Sequence, residues 1–167
     1  MKRDELFLKR ISAEVISELG HVSRLMGEYD DFINRYPEHM DTYLLRVKAS
    51  FMADFYMGVE KVFKIIAEEL NGGVQRGEEW HKRLLHTMAV EVRGVRPAVI
   101  SDELYQDLLK FLGFRHVVRQ AYGFQLDEKK LADLDKIFRG TWKRFSREIR
   151  KFCSFLEGKL KELKRDR

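Results

Sequence analysis

Apolar residues recur every three or four positions along most of the chain, separated by positions rich in charge. Leu6, Ile11, Val15, Leu19, Val22, Met26, Tyr29, Ile33 and Tyr36 form the first stripe. That spacing predicts an amphipathic α-helix of about nine turns. Pro37 breaks it, because proline lacks the N–H that a helix interior needs. Asp41 is placed to cap a second helix with its carboxylate. Leu44, Val47, Phe51, Phe55, Val59, Val62, Phe63 and Ile66 carry the second stripe to about Leu70. Asn71-Gly72-Gly73 ends it, since glycine tolerates a left-handed C-cap.

Gly77-Glu78-Glu79 opens a short helix through Trp80, Leu84, Leu85 and Met88. Acids at its start suit the helix dipole. Residues 91–100, with Gly94 and Pro97, read as a loop. Ser101-Asp102 caps the next helix, which carries Leu104, Leu108, Leu109 and Leu112. A bend is expected at Gly113, with the helix resuming from Phe114 to Tyr122 and stopping at Gly123. Asp127 caps the last helix, whose stripe runs from Leu131 and Leu134 through Phe138, Trp142, Phe145, Ile149 and Phe152 to Leu160. No strand alternation persists. The expectation is an all-α, up-and-down bundle of about five helices, three long and two short, forming one domain over residues 1–167. Its aromatic stripes then fill the core.

Composition narrows this picture. The chain has 167 residues, enough for one domain with a real core. An apolar fraction of 44% excludes wholesale disorder, and 35% charge with two prolines suits long solvated helices. Cys153 is alone, which excludes a disulfide scaffold and a cysteine-based zinc ribbon. No apolar run approaches the ~18 residues of a membrane helix. Met1-Lys2-Arg3-Asp4-Glu5 does not open a secretory signal. A soluble cytoplasmic protein that does not engage a membrane is expected.

The net charge of +5 is uneven. From Arg139 to Arg167 there are 11 Lys and Arg against 4 Asp and Glu. Such an end attracts phosphate backbones, although a solvated helix face is the simpler reading.

The common cofactor and metal motifs are missing: no phosphate-binding Gly loop, no dinucleotide fingerprint, no His-Glu-x-x-His. His81 and His86 are five apart and fall on different helix faces. Acid pairs such as Glu68-Glu69 and Asp30-Asp31 sit on exposed helix sides. No metal and no cofactor is expected.

One segment, Leu112 to Phe124, concentrates chemistry. On a helix Arg115, Arg119 and Tyr122 share a face, with His116 and Gln120 on the adjoining one. Guanidiniums offer a fixed fork of donors to phosphate, and an imidazole takes protons near neutral pH. That combination suits a phosphodiester. The alternative is that both arginines pair with acids across the bundle and His116 is merely satisfied.

The stretch Arg115-His116-Val117-Val118-Arg119-Gln120-Ala121-Tyr122-Gly123-Phe124-Gln125-Leu126-Asp127 resembles the HepT-like group of the HEPN superfamily. So do Gly58 to Gly73, Trp80 to Leu85 and Arg96 to Ser101, and the similarity spans about residues 40–155. The family signature is an arginine, four to six residues, a histidine, one residue and a tyrosine. The resemblance implies a metal-independent ribonuclease toxin that dimerises so that two motifs form one cleft. It also implies a minimal nucleotidyltransferase antitoxin, which adds AMP to the motif tyrosine. Arg115 matches the motif arginine and Tyr122 the tyrosine and AMP acceptor. The histidine belongs at position 120, where this chain has Gln120. An amide cannot act as a general base, which leaves His116, one turn earlier, as a displaced base. Arg76 and His81 also fit the four-residue spacing, but no tyrosine follows, and the match reads as coincidence.

Three functions compete. The first is a ribonuclease or a weakened derivative: Arg115 and Arg119 hold the phosphate, His116 takes the 2′-hydroxyl proton, and Tyr122 contacts phosphate. The second, which Gln120 favours, is a non-catalytic module binding RNA or the nucleotidyltransferase. The third is a structural helical interaction protein.

Overall fold

Side-chain caps mark where three of the helices begin. The computed structural model describes residues 3–36, 41–122 and 125–165. Its helices are α1 (Arg3–Arg35), α2 (Thr42–Leu70), α3 (Trp80–Ala89), α4 (Asp102–Gln120) and α5 (Glu128–Arg165). Asp41 Oδ1 accepts from the N–H groups of Tyr43 and Leu44, both at 2.9 Å. Ser101 Oγ accepts from Leu104 N–H at 3.2 Å, and Asp127 Oδ1 accepts from Lys129 and Lys130 N–H at 3.0 and 3.1 Å. Each cap supplies an acceptor to N–H groups that a helix start leaves unsatisfied. At the end of α2, Gly73 N–H reaches back to Ala67 C=O at 3.0 Å. That return needs the positive φ of Gly72, 77°. Pro37 and Gly123, the expected helix stops, lie outside the described residues.

Three features differ from expectation. Helix α3 begins at Trp80, so Glu78 and Glu79 precede its first turn. Helix α4 runs as one element through Gly113, where the helix was expected to bend and resume. It also ends at Gln120, with Ala121 extended at φ −87° and ψ 146°. Tyr122 therefore follows the helix and does not continue its face.

The long helices pair antiparallel. Along α1 and α2, Arg10 meets Glu69 at 2.7 Å and the rings of Phe32 and Phe51 lie 5.6 Å apart. Between α1 and α5, the Tyr29 hydroxyl donates to Asp135, and Arg139 Nε donates to Asp30 at 2.7 Å. Between α4 and α5, Arg144 contacts Glu103 at 3.1 Å and Asp107 at 2.8 Å. Phe55 of α2 packs edge-on against Phe111, Phe138 and Phe145 at the centre of a core that draws on all five helices. The ends of the first stripe do not join it: Leu6 and Tyr36 are exposed. Glu5 beside Leu6 is buried and Phe7 and Leu8 pack against the core, so Leu6 is exposed because it falls off the buried face of α1.

The 91–100 segment is pinned more firmly than a surface loop. Val92 and Arg96 form a bridge around Gly94, whose φ is +76°. The Arg96 guanidinium is buried and donates to Asn71 Oδ1 and to the carbonyls of Thr87, Val90 and Pro97, at 2.9 to 3.0 Å. Burial lowers its pKa, yet an arginine with this many acceptors keeps its charge. The C-termini of α2 and α3 are thereby fastened to one side chain, which fixes where α3 lies over α2.

Candidate functional site

The last two turns of α4 carry Arg115, His116, Arg119 and Gln120 along one wall of a cavity of about 320 Å³. Leu112 and, from α3, His81 complete its lining. Beneath it lies Glu60 of α2, whose side chain is only 5% exposed. Glu60 Oε2 is 2.5 Å from His81 Nδ1 and 3.6 Å from Arg115 Nη1. Oε1 lies 3.6 Å from Lys64 Nζ. A buried carboxylate is costly unless paired, and here three basic side chains surround it. A carboxylate can only accept, so Nδ1 of His81 carries the proton and Nε2 is the nitrogen left over.

Aromatic groups hold this cluster. Trp80 stacks on the His81 ring at 3.6 Å with 28° between planes, and Lys64 Nζ sits 4.4 Å from the Trp80 ring centre. The buried Tyr56 phenol has its pKa raised, first by burial and then by Glu60, with Arg115 opposing. It stays a neutral hydroxyl.

The residues singled out from sequence separate into three groups. Arg115, 13% exposed at its side chain, turns inward and pairs with an acid across the bundle. His116, Arg119 and Gln120 are exposed, line the cavity and make no side-chain hydrogen bond or ion pair among the described residues. Tyr122 is 71% exposed and outside the cavity lining, because the helix that was expected to carry it ends two residues earlier. The convergence of Arg115, Arg119 and Tyr122 on one helical face is therefore corrected: the two arginines share the cavity and the phenol does not.

His81 was missed. Its contact with Glu60 brings it beside Arg115. No spacing rule links these residues, which sit on three helices. The available signal was that Trp80-His81 opens a stretch resembling the HepT-like group.

Arg119, Arg115 and Lys64 outweigh Glu60, so the cavity is electropositive and suits an oxyanion. The basic end of α5 contributes less than its composition suggests. Arg139 is bound to Asp30, Arg144 to Glu103 and Asp107, and Lys159 to Glu162. Lys143 and Arg147 remain exposed. Among the described residues no group of three or more His, Cys, Asp or Glu is arranged to hold a metal ion. None of their helices is long and apolar enough to cross a membrane.

A family model described as HepT-like protein matches residues 48–156. The chain belongs to the HepT-like family. The matched span includes α2 from its seventh residue, all of α3 and α4, and most of α5, and so every residue of the cavity. No curated protein and no solved structure matches the chain. Within the HepT-like frame, Gln120 occupies a cavity position on α4, where an amide donates and accepts hydrogen bonds but takes up no proton.

Proposed function

We propose that this HepT-like protein is the toxin of a toxin–antitoxin pair, a metal-independent endoribonuclease acting in the cytoplasm. The observation that carries this reading is the cavity on α4, where Arg115, Arg119 and an imidazole line one electropositive wall. A phosphodiester entering it meets two guanidiniums, which stabilise the charge that grows on the phosphoryl oxygens during attack. The nucleophile is the neighbouring ribose 2′-hydroxyl, so the reaction needs a base for that proton and a donor for the departing 5′-oxygen.

The partner is a minimal nucleotidyltransferase antitoxin, and the protein acts as a homodimer. Tyr122 is the AMP acceptor. Its 71% exposure just beyond the end of α4 supports access by a modifying enzyme. The test is incubation of the purified protein with single-stranded and structured RNA in excess EDTA. Cleavage leaving 2′,3′-cyclic phosphate ends supports the reading. Binding that depends on Arg119 without cleavage favours the second reading, a HepT-like RNA-binding module without turnover, for which Gln120 is the specific observation.

A further inference from the structure

We infer that His81, held through Nδ1 by the buried Glu60, is the general base of this site and takes over the proton-accepting role that Gln120 cannot fill. The inference rests on the ribonuclease reading above and names the residue that reading leaves open.

Four observations carry it. First, His81 lines the same cavity as Arg115 and Arg119 although it comes from another helix. Second, its Nδ1 hydrogen is committed to Glu60 at 2.5 Å, which fixes ring orientation and, in the neutral ring, makes Nε2 the accepting nitrogen. An imidazole oriented by a carboxylate is an arrangement suited to general-base catalysis. Third, the ring is clamped by Trp80 at 3.6 Å, and α3 itself is fastened by Arg96, so the base is held in place. Fourth, the same Glu60 oxygen faces Arg115 at 3.6 Å, which couples the base to the phosphate-holding cation. His116, by contrast, is exposed and has no side-chain partner among the described residues to orient it.

The proton and bond changes balance as follows. His81 Nε2 takes the 2′-hydroxyl proton as the 2′-oxygen bonds to phosphorus. The bond from phosphorus to the 5′-oxygen breaks, and that oxygen leaves with a proton given up by His116, which lines the same cavity. The products are a 2′,3′-cyclic phosphate and a free 5′-hydroxyl. Glu60 touches no reacting atom in this scheme and is a positioning residue.

The decisive variant is His81→Asn, whose side-chain amide can still donate to Glu60 while nothing stands in place of Nε2. Cleavage is expected to fall on the order of 10²–10⁴-fold, with RNA affinity unchanged. A second measurement needs no variant. Diethyl pyrocarbonate modifies imidazoles, and trypsin places His81, His86 and His116 in separate peptides, residues 77–82, 84–93 and 116–119. Modification of His81 should track the loss of cleavage, and bound RNA should protect it. A wild-type protein that cleaves, with His81→Asn equally active or modified His81 still active, overturns the inference and leaves the ribonuclease reading standing. A wild-type protein that leaves all RNA intact overturns both.

Discussion

His81 and Arg115 meet at a single oxygen: Glu60 Oε2 lies 2.5 Å from the imidazole and 3.6 Å from the guanidinium. Arg115 therefore has a structural duty as well as a cationic one, and Arg119 has only the second. Arg115→Ala removes a partner from a buried carboxylate and should cost about 1–3 kcal/mol of stability in urea unfolding. Arg119→Ala should leave stability unchanged and weaken RNA binding. Its slope of log K against log salt should shrink by about 0.7, the share of one phosphate contact on a single strand. An unchanged slope would remove Arg119 from the RNA interface.

The fold was largely legible because most helices carry their own stripe and three of them, α2, α4 and α5, begin at a side-chain cap. Asp41, Ser101, Asp127 and Asn71-Gly72-Gly73 act where the sequence places them, since these signals operate within a few residues of chain. The site was half legible. Arg115, His116, Arg119 and Gln120 lie within two turns of one helix, so periodicity alone brings them together. Glu60 and His81 belong to α2 and α3, and their meeting with Arg115 depends on how three helices pack, which no spacing encodes. Tyr122 was misplaced for a related reason. Nothing in Ala121-Tyr122 forbids a helix, yet Ala121 is extended and Tyr122 N–H is taken by Gln125 Oε1 at 3.0 Å instead of a helical carbonyl.

Two helix-interior glycines should respond to alanine with opposite signs. A β-carbon at Gly58 would come within 2.5 Å of Val22 Cγ2, where α1 and α2 approach closely. Gly58→Ala should destabilise by about 1–3 kcal/mol through overpacking. At Gly140 in α5 a β-carbon meets nothing within 4 Å. Gly140→Ala should stabilise by about 0.5–1 kcal/mol, from the reduced entropy of the unfolded chain. Denaturant midpoints of the two variants against the parent check both signs.

Alkaline pH should unfold the protein through its buried phenols. Burial raises the pKa of Tyr29, reinforced by its hydrogen bond to Asp135, and burial raises that of Tyr56. Both keep their protons in the folded state at a pH where the unfolded chain, near the ordinary value of about 10, loses them. The stability they contribute is fully present below that pH and declines above it, because the unfolded state then binds fewer protons. The expected slope is about 1.4 kcal/mol per pH unit for each tyrosine. Tyr29→Phe should remove one of the two contributions. Urea unfolding between about pH 9 and 11 tests this, and equal slopes for the parent and Tyr29→Phe would refute it.

The proposed homodimer is expected to depend on the other side of α4. Leu109, Gly113, Phe114 and Val117, with Leu134 and Ile137 of α5, line an open and largely apolar cleft of about 780 Å³. Val117 is 45% exposed there. An apolar cleft of this kind loses its affinity for a second copy when a charge is placed in it. Val117→Asp should convert the dimer to monomer in sedimentation experiments at micromolar concentration, with its helical circular dichroism unchanged. A monomeric parent under the same conditions would remove the dimer from the proposal.

Gln120→His tests how the site divides its labour. Gln120 is the last residue of α4, exposed and on the cavity wall, so an imidazole there fits without repacking the core. If Gln120 alone limits activity, the substitution should raise cleavage on the order of 10²–10⁴-fold, the usual contribution of a general base. If His81 already supplies the base, adding a second imidazole changes the rate little. In that case the effect should emerge only in the His81→Asn background, where Gln120→His should restore much of the lost cleavage. We expect the second pattern, because Glu60 orients His81 and no described side chain is bonded to Gln120. A large gain in the otherwise unaltered protein would return the base to α4 and reduce His81 to a packing partner of Trp80.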